Sequence, residues 1–355
     1  MTSVLHVMST LSLGGAERFA VGLAQIQRQE GVNAQVFNLG SDRDFLVQEI
    51  ESQKIPLLNI NSADARIKHY RRLCKIIGQF DVVHIHSPHT LRHLALVIPF
   101  FSHTRFIYTR HGLYPLKSIY WKMLHKFIRR FIHKATFVTQ SGCDVFVKYH
   151  NWPKSKLQII ENGAFVPESY TISTEKPVRF GSVGRMIELK GQLILMEALK
   201  ILASKSSVEN DKVFALNFFG SGPLESRLSD IAKELPDNLV TFHGQEKNID
   251  KIYENIDVLV VASESEGLSM VIIEAMARGI PVIATDVGGN PTLVKNAETG
   301  LLIPYGSATA LAQAMQVVLG KPDLIKTYGV AARQLVVEKF SLLNTQRAYQ
   351  VCYES

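Results

Sequence analysis

The stretch from Ser263 to Gly289, SESEGLSMVIIEAMARGIPVIATDVGG, carries residue types at a spacing that could do chemistry. A β-branched run, Val258–Ala262, leads into it, and Gly267 sits in the loop that follows. A helix is predicted from about Ser269, ending at Gly279, a natural C′ residue, with Pro281 two positions on. A loop feeding a helix N-terminus after a parallel strand is an anion site, because the free amides and the positive helix end suit a phosphate. Gly267, lacking a Cβ, lets that backbone approach a ligand closely. Glu266 and Glu274 are eight apart, one on the loop and one more than a turn into the helix. Carboxylates repel phosphate, so these two suit its neighbours: sugar hydroxyls on one side and ribose hydroxyls on the other. Gly184-Arg185 and Lys190-Gly191, in GSVGRMIELKG, follow the first strand of the same half and fall on the same rim of its sheet. Arg185 by forked contacts and Lys190 as a point charge could neutralise a diphosphate leaving group. The plain alternative is a surface helix with solvated carboxylates, and the company of two cations argues against it.

Other groups are more open. Gly14-Gly15 precedes a helical pattern and reads equally as a simple turn. His111, before Gly112 at a strand end, is a structural histidine or a reacting one. His84, His86, His89 and His93 invite a zinc reading, since His89 and His93 are four apart on a predicted helix. No cysteine or acidic cluster joins them, and no metal is expected. Asp42-Arg43-Asp44 imitates a metal-binding acidic pair, but it opens a helix after a strand, where acidic residues are favoured as caps.

These residues need elements to position them. Short β-branched runs alternate with helical patterns through most of the 355 residues, which predicts α/β units with parallel sheets. In the first half the strands are expected at Val4–Ser9, Ala34–Leu39, Pro56–Ile60, Val82–Ile85, Arg105–Thr109, Thr136–Thr139 and Leu157–Asn162. In the second they are expected at Arg179–Val183, Phe214–Phe219, Leu239–Phe242, Val258–Ala262, Pro281–Thr285 and Gly300–Ile303. Gly163 to Pro177, with two prolines and several Ser and Thr, reads as a linker. The expected domains are residues 1–165 and 166–340, with an amphipathic helix at about 341–355 packing back on the first. Two doubly wound sheets facing one another across a cleft would bind ligands at their strand C-termini.

Charge is uneven along the chain. Residues 1–170 hold 21 Lys and Arg against 11 Asp and Glu, whereas residues 171–355 hold 18 against 21. No acidic residue lies between Asp81 and Asp144. Such asymmetry points to an anionic partner for the first domain, or to a solubilising surface. Within it, IYWKMLHKFIRRFIHK, Ile119 to Lys134, reads as one amphipathic helix with Met123, Leu124, Phe127, Ile128, Phe131 and Ile132 on its apolar stripe. Its basic face, Lys122, Lys126, Arg129 and Arg130, is expected to attach electrostatically to an anionic membrane rather than insert. No nucleic acid partner is expected. Cys74, Cys143 and Cys352 are odd in number and far apart, which suits a reducing compartment. With no leader-like N-terminus and no long apolar run, the expected place is the cytoplasm, peripheral on the inner face of the cytoplasmic membrane.

The pattern E-G-L-S-x-x-x-x-E with A-M-A-x-G-x-P-V-I-A-T-D-V-G-G resembles glycosyltransferase family 4, retaining enzymes of the GT-B fold. The likeness extends to GGAERF at Gly14–Phe19, HIHSP at His84–Pro88, Thr109-Arg110-His111-Gly112, and Gly184-Arg185 with Lys190-Gly191. Five such pieces in order cover most of the chain. The resemblance implies that Arg185 and Lys190 hold the donor diphosphate, Glu274 the ribose, and Glu266 the transferred sugar. It also implies that amides at Gly267, Leu268 and Ser269 meet the phosphate and that Gly14 and Gly15 close on it from the opposite domain. His111 would sit at the donor–acceptor junction, with His86 and Ser87 at the cleft mouth on the acceptor side. Many relatives have an acidic residue where this chain has Thr292, and no role is carried to that position. The expected reaction moves a hexose from a nucleotide diphosphate, UDP first, to a saccharide or lipid-linked acceptor in glycan or polysaccharide biosynthesis. No metal cofactor is required, and a same-face displacement fits the absence of an apparent second carboxylate. A nucleotide-sugar epimerase of the same fold, or a non-catalytic nucleotide-sugar binder, are the rival readings.

Overall fold

The computed structural model describes residues 2–12, 14–41, 44–59, 66–205 and 214–355. The chain forms two compact units, Met1–Gly163 with Leu342–Ser355, and Ala164–Ser341. In the first, β1 (Ser3–Met8), β2 (Asn33–Asn38), β3 (Leu57–Asn59), β4 (Val82–Ile85), β5 (Arg105–Arg110), β6 (Ile132–Phe137) and β7 (Leu157–Ile159) form one sheet. Its order is β3-β2-β1-β4-β5-β6-β7, and every pairing is parallel. In the second, β8 (Val178–Val183), β9 (Phe214–Phe219), β10 (Val240–Phe242), β11 (Val258–Val261), β12 (Val282–Thr285) and β13 (Gly300–Ile303) pair in the order β10-β9-β8-β11-β12-β13. These too are parallel throughout.

The period of two along each strand sorts the first sheet into unlike faces. Leu5, Val7, Val83, Ile85, Phe106, Ala135 and Phe137 fill one with apolar packing. His6, His84, Thr109 and Thr136 line up across the other, all fully buried. A buried polar row must find hydrogen-bond partners. The C-terminal helix Leu342–Glu354 supplies them: Tyr353 Oη lies 2.8 Å from His84 Nδ1, and Tyr349 Oη 3.2 Å from Thr109 Oγ1. That is the physical reason the tail returns to this unit, and Thr345 Oγ1 fastens it further by donating to Glu161 O at 3.0 Å.

In the second unit the helices Gln192–Lys205 and Ala308–Gly320 cover Val178, Phe180, Leu216, Phe218, Val258 and Val260. The helix Met270–Ala277 is buried over nearly its whole length. The helix Asp323–Lys339 packs against its end so closely that a Cβ on Gly329 would stand 2.0 Å from Gly279 O. Gly279 has φ +72°, the left-handed conformation of a C′ glycine. The segment after Gly163 packs on this unit: Arg333 donates to Pro167 O at 2.6 Å and lies 4.2 Å over the Tyr170 ring.

Three local expectations need correcting. The helix expected from Ile119 to Lys134 is the shorter Ile119–Ile128, and β6 begins at Ile132, four residues ahead of the expected Thr136. Ile132 pairs with Phe106 of β5 and is buried there, so strand pairing overrides the helical period. Asp44 caps no helix; its Oδ2 accepts from Leu11 N at 2.8 Å and from Thr10 Oγ1 at 3.0 Å, tying down the loop after β1. Asp42 and Arg43, like Ile60 of the expected third strand, lie outside the described residues.

Candidate active site

The second sheet grows in opposite directions from β8 and β11, which are neighbours. At such a switch point the loops after two adjacent strands splay apart and leave a ligand crevice. Here those loops are the two that sequence reasoning singled out. Gly191, at φ +66°, brings them together, because a Cβ there would meet Ala262 O at 2.1 Å. Lys190 Nζ consequently reaches Glu266 Oε1 at 2.7 Å, and Ser263 Oγ donates to the same oxygen at 2.7 Å. Thr285 Oγ1 fixes Ser263 in turn, donating to its carbonyl at 2.6 Å. Lys190 is therefore balanced by a carboxylate and not a lone cation. Arg185, exposed on the same rim, makes no hydrogen bond or ion pair through its guanidinium among the described residues.

Ser269 is the N-cap of Met270–Ala277, and its side chain makes no capping bond. Gly267 and Leu268 precede it on the same loop. One turn further, Glu274 is buried, and its Oε2 accepts from Tyr253 Oη at 2.8 Å. Arg278 stacks 5.1 Å over the Tyr253 ring and pairs with Asp250, which holds Tyr253 in place. Each of the two carboxylates is thus gripped through one oxygen. A carboxylate held that way keeps acceptor capacity for a ligand's hydroxyls.

The first unit assembles its polar groups differently. Gly14, extended at φ −154° and ψ 159°, is the N-cap of Gly15–Gln29, so both glycines open a helix that follows β1. Ser87 N-caps Pro88–Leu94, its Oγ accepting from Thr90 N at 3.0 Å. His86, expected at the cleft mouth, is 2% exposed: it follows directly on β4 and lies against Phe19 of the helix Gly15–Gln29. His86 Nε2 lies 2.9 Å from His6 Nδ1, and its Nδ1 lies 3.3 Å from His111 Nε2. His6 Nε2 meets Gln27 Oε1 at 2.7 Å. Burial pushes the His111 imidazolium down to about 4, with the nearby Arg110 charge adding and the neighbouring Asn162 side chain opposing. Burial likewise takes His6 to about 4 and His86 well below the ordinary histidine value.

His6, His84 and His86 bring ring nitrogens within 4.8 Å of one another. All six of those nitrogens already have hydrogen-bond partners in the protein. His89 and His93 stand apart from them, against Trp121 and Tyr70. Sequence reasoning missed Tyr253, Ser263, His6, Gln27 and Asn162. Only the alternation of His6 on β1 with His84 on β4 was a readable signal, and it needs the register of those strands.

Two Rossmann-like parallel-sheet units, one with a cation–carboxylate site at its switch point, define a GT-B protein. A family model described as Glycosyltransferase Family 4 matches residues 13–164, and one described as Glycosyl transferases group 1 matches residues 168–335. The chain belongs to the glycosyltransferase family that these two describe between them. It is 25% identical over 294 residues to the N-acetyl-alpha-D-glucosaminyl L-malate synthase of Bacillus anthracis, covering 77% of this chain and 74% of the other. The capsular polysaccharide biosynthesis glycosyltransferase CapM of Staphylococcus aureus is 29% identical over 226 residues, covering 61% of this chain and 55% of CapM. Among solved structures, Anabaena HepE in complex with UDP and glucose superposes with a TM-score of 0.85 at 18% identity, over 100% of both chains.

Proposed function

We propose that this glycosyltransferase moves a hexose or N-acetylhexosamine, with retention, from UDP to a saccharide or lipid-linked acceptor in polysaccharide biosynthesis. The observation that carries the reading is the switch-point cluster: Arg185, whose guanidinium has no partner among the described residues, Lys190 held by Glu266, and Glu274 held by Tyr253. In this reading Arg185 and Lys190 take the diphosphate with the amides of Gly267, Leu268 and Ser269, and Gly14 and Gly15 are further phosphate contacts. Glu274 accepts from the ribose and Glu266 from the sugar, while His111 contacts the reacting sugar. The leaving phosphate accepts the acceptor's proton. Two cations and a helix N-terminus carry the developing charge, so the transfer needs no metal. UDP is the first base to test because HepE binds it, and CapM motivates the polysaccharide assignment. A ligand raises stability according to its concentration over its dissociation constant. UDP should therefore raise the melting temperature more than GDP or ADP, with and without EDTA; a larger shift with GDP, or a UDP shift abolished by EDTA, would refute the donor or the metal assignment respectively.

The same reading places the enzyme at the cytoplasmic face of a membrane. Three cysteines are free, and among the described residues no helix is long and apolar enough to cross a bilayer. On Ile119–Ile128 the outward side chains include Ile119, Tyr120, Met123 and Phe127 beside Lys122 and Lys126. Arg130 is exposed too, and Arg129 donates to Asn151 O. The exposed face is therefore apolar as well as basic, which adds insertion to the electrostatic attachment expected from sequence. Binding to anionic vesicles should weaken in high salt and disappear only when charge reversal at Lys122, Lys126, Arg129 and Arg130 is combined with Met123→Ser and Phe127→Ser. Equal partitioning to neutral and anionic vesicles would sink the idea.

A further inference from the structure

Five side chains of the first unit fall into one directed series. Gln27 Nε2 donates to Tyr353 Oη at 3.3 Å, which leaves Gln27 Oε1 facing His6 Nε2 at 2.7 Å. An amide oxygen only accepts, so His6 carries its proton on Nε2 and offers Nδ1 as an acceptor. His86 Nε2, 2.9 Å from that Nδ1, must then be the donor. The step repeats: His86 Nδ1 is left as an acceptor, and His111 Nε2, 3.3 Å away, donates to it. His111 ends the series with Nδ1 unprotonated, and that atom makes no hydrogen bond among the described residues. Each ring has one proton to place, and the partner on one side decides the donor on the other. Doubly protonated rings are disfavoured throughout by burial.

We propose that His6 and Gln27 are positioning residues for the transfer reaction, acting through His86 to hold the His111 ring with its proton on Nε2 and its Nδ1 as an acceptor. This rests on the reading of His111 as a reacting-site residue. Stability alone does not account for the series. The opposite face of the same sheet is closed by Leu5, Val7, Val83 and Ile85, and neutral hydrogen bonds add little net stability over such packing. The series also ends on a half-buried residue at the C-terminal rim of β5, where ligands of parallel sheets bind, and not on a backbone group. Its direction has a definite opposite. Were Gln27 turned over, all three protons would move, and His111 would carry its proton on Nδ1, toward Asn162, whose own Oδ1 lacks a partner among the described residues.

Long-range nitrogen–proton NMR on the intact, histidine-labelled protein reads the tautomers directly. Wild type should show His111 protonated at Nε2, and His6→Phe should give a mixture. Asn at position 6 places an acceptor oxygen near the lost Nδ1, so His6→Asn should restore the single tautomer. Turnover is followed as UDP release from whichever UDP-hexose or UDP-N-acetylhexosamine reacts fastest. His6→Phe and Gln27→Leu should lower kcat about tenfold, the rate equivalent of losing one directed hydrogen bond, with the donor KM within about twofold. His6→Asn should recover most of that loss. A His111 proton on Nδ1 in the wild type overturns the proposal without needing any variant to fold. A folded His6→Phe with wild-type kcat overturns it too, while His111→Phe remains inactive. Full activity of His111→Phe would instead remove the underlying reading of that residue.

Discussion

The two units use the same parallel-sheet plan and place their polar chemistry in opposite ways. In Ala164–Ser341 the groups sit at the rim of the sheet, on two loops and the helix that follows the second, and are close in sequence: Arg185 with Lys190, and Ser263 with Glu266 and Glu274. In the other unit they lie inside, on one face of the sheet, and come from β1, the helix Gly15–Gln29, the ends of β4 and β5, and the last helix of the chain. The histidine content follows the same division, since His243 is the single histidine after residue 163 of the 12 in the chain. A rim site made of loops tolerates ions, because solvent reaches them; Lys190 and Glu266 keep 28% and 10% of their side-chain surface. A network inside a sheet face must use groups that are neutral, and histidine, threonine and tyrosine are what it uses.

Changes on the rim should have the largest effect on activity and the smallest on folding. Glu274→Gln and Arg185→Ala each remove a charged hydrogen-bonding group, which corresponds to about 1.5–3 kcal/mol, or roughly ten- to a hundredfold in transfer rate at low donor concentration. Melting temperatures should stay near wild type. Normal steady-state kinetics for both variants would show that the rim is not where the nucleotide binds.

Changes of pH should separate the units in the other direction. Burial lowers His125 to about 2, with His150 and Arg110 adding, and burial with Arg110 and Lys122 lowers His150 to about 4. His6 and His111 are also near 4. Folded-state values below the ordinary 6.5 mean that the unfolded chain binds more protons on acidification. The associated stability is present in full above about pH 6.5 and is lost as pH falls toward 4 and below. Trp121 and Trp152, the only two tryptophans, both lie in the first unit, so their fluorescence reports it alone. Urea midpoints read from tryptophan should fall between about pH 7 and pH 5, while backbone hydrogen exchange in β8–β13 changes less. A tryptophan midpoint that holds constant over that range would contradict the burial of these rings.

The smallest effect expected is at Tyr253. Its hydroxyl donates to Glu274 at 2.8 Å and does not itself belong to the ligand set proposed for the donor. Tyr253→Phe leaves the carboxylate charged but less directed, a loss of about 0.5–1.5 kcal/mol, so donor KM should rise roughly three- to tenfold with kcat little changed. A change as large as that of Glu274→Gln would mean that Tyr253 meets the ligand directly.

What sequence alone determined follows from range. The strand at Val258, the loop through Gly267, the N-cap at Ser269 and the left-handed Gly279 are all set by neighbours in the chain, and the structure has each of them. The same holds for Val82–Ile85, Phe214–Phe219 and Gly300–Ile303, strands whose limits are those expected. Tertiary structure decided the rest. Ile132 left the helical period of Ile119–Ile128 because a place in β6 beside Phe106 was open to it. Tyr253 could not be linked to Glu274, nor Tyr353 to His84, because those distances are set by the packing of whole helices. The burial of His6 and His84 was out of reach for the same reason: a histidine in a strand carries no local mark of which face it occupies. That mark is the register of β1 with β4, which sets His6 opposite His84 and exists only once the sheet is formed.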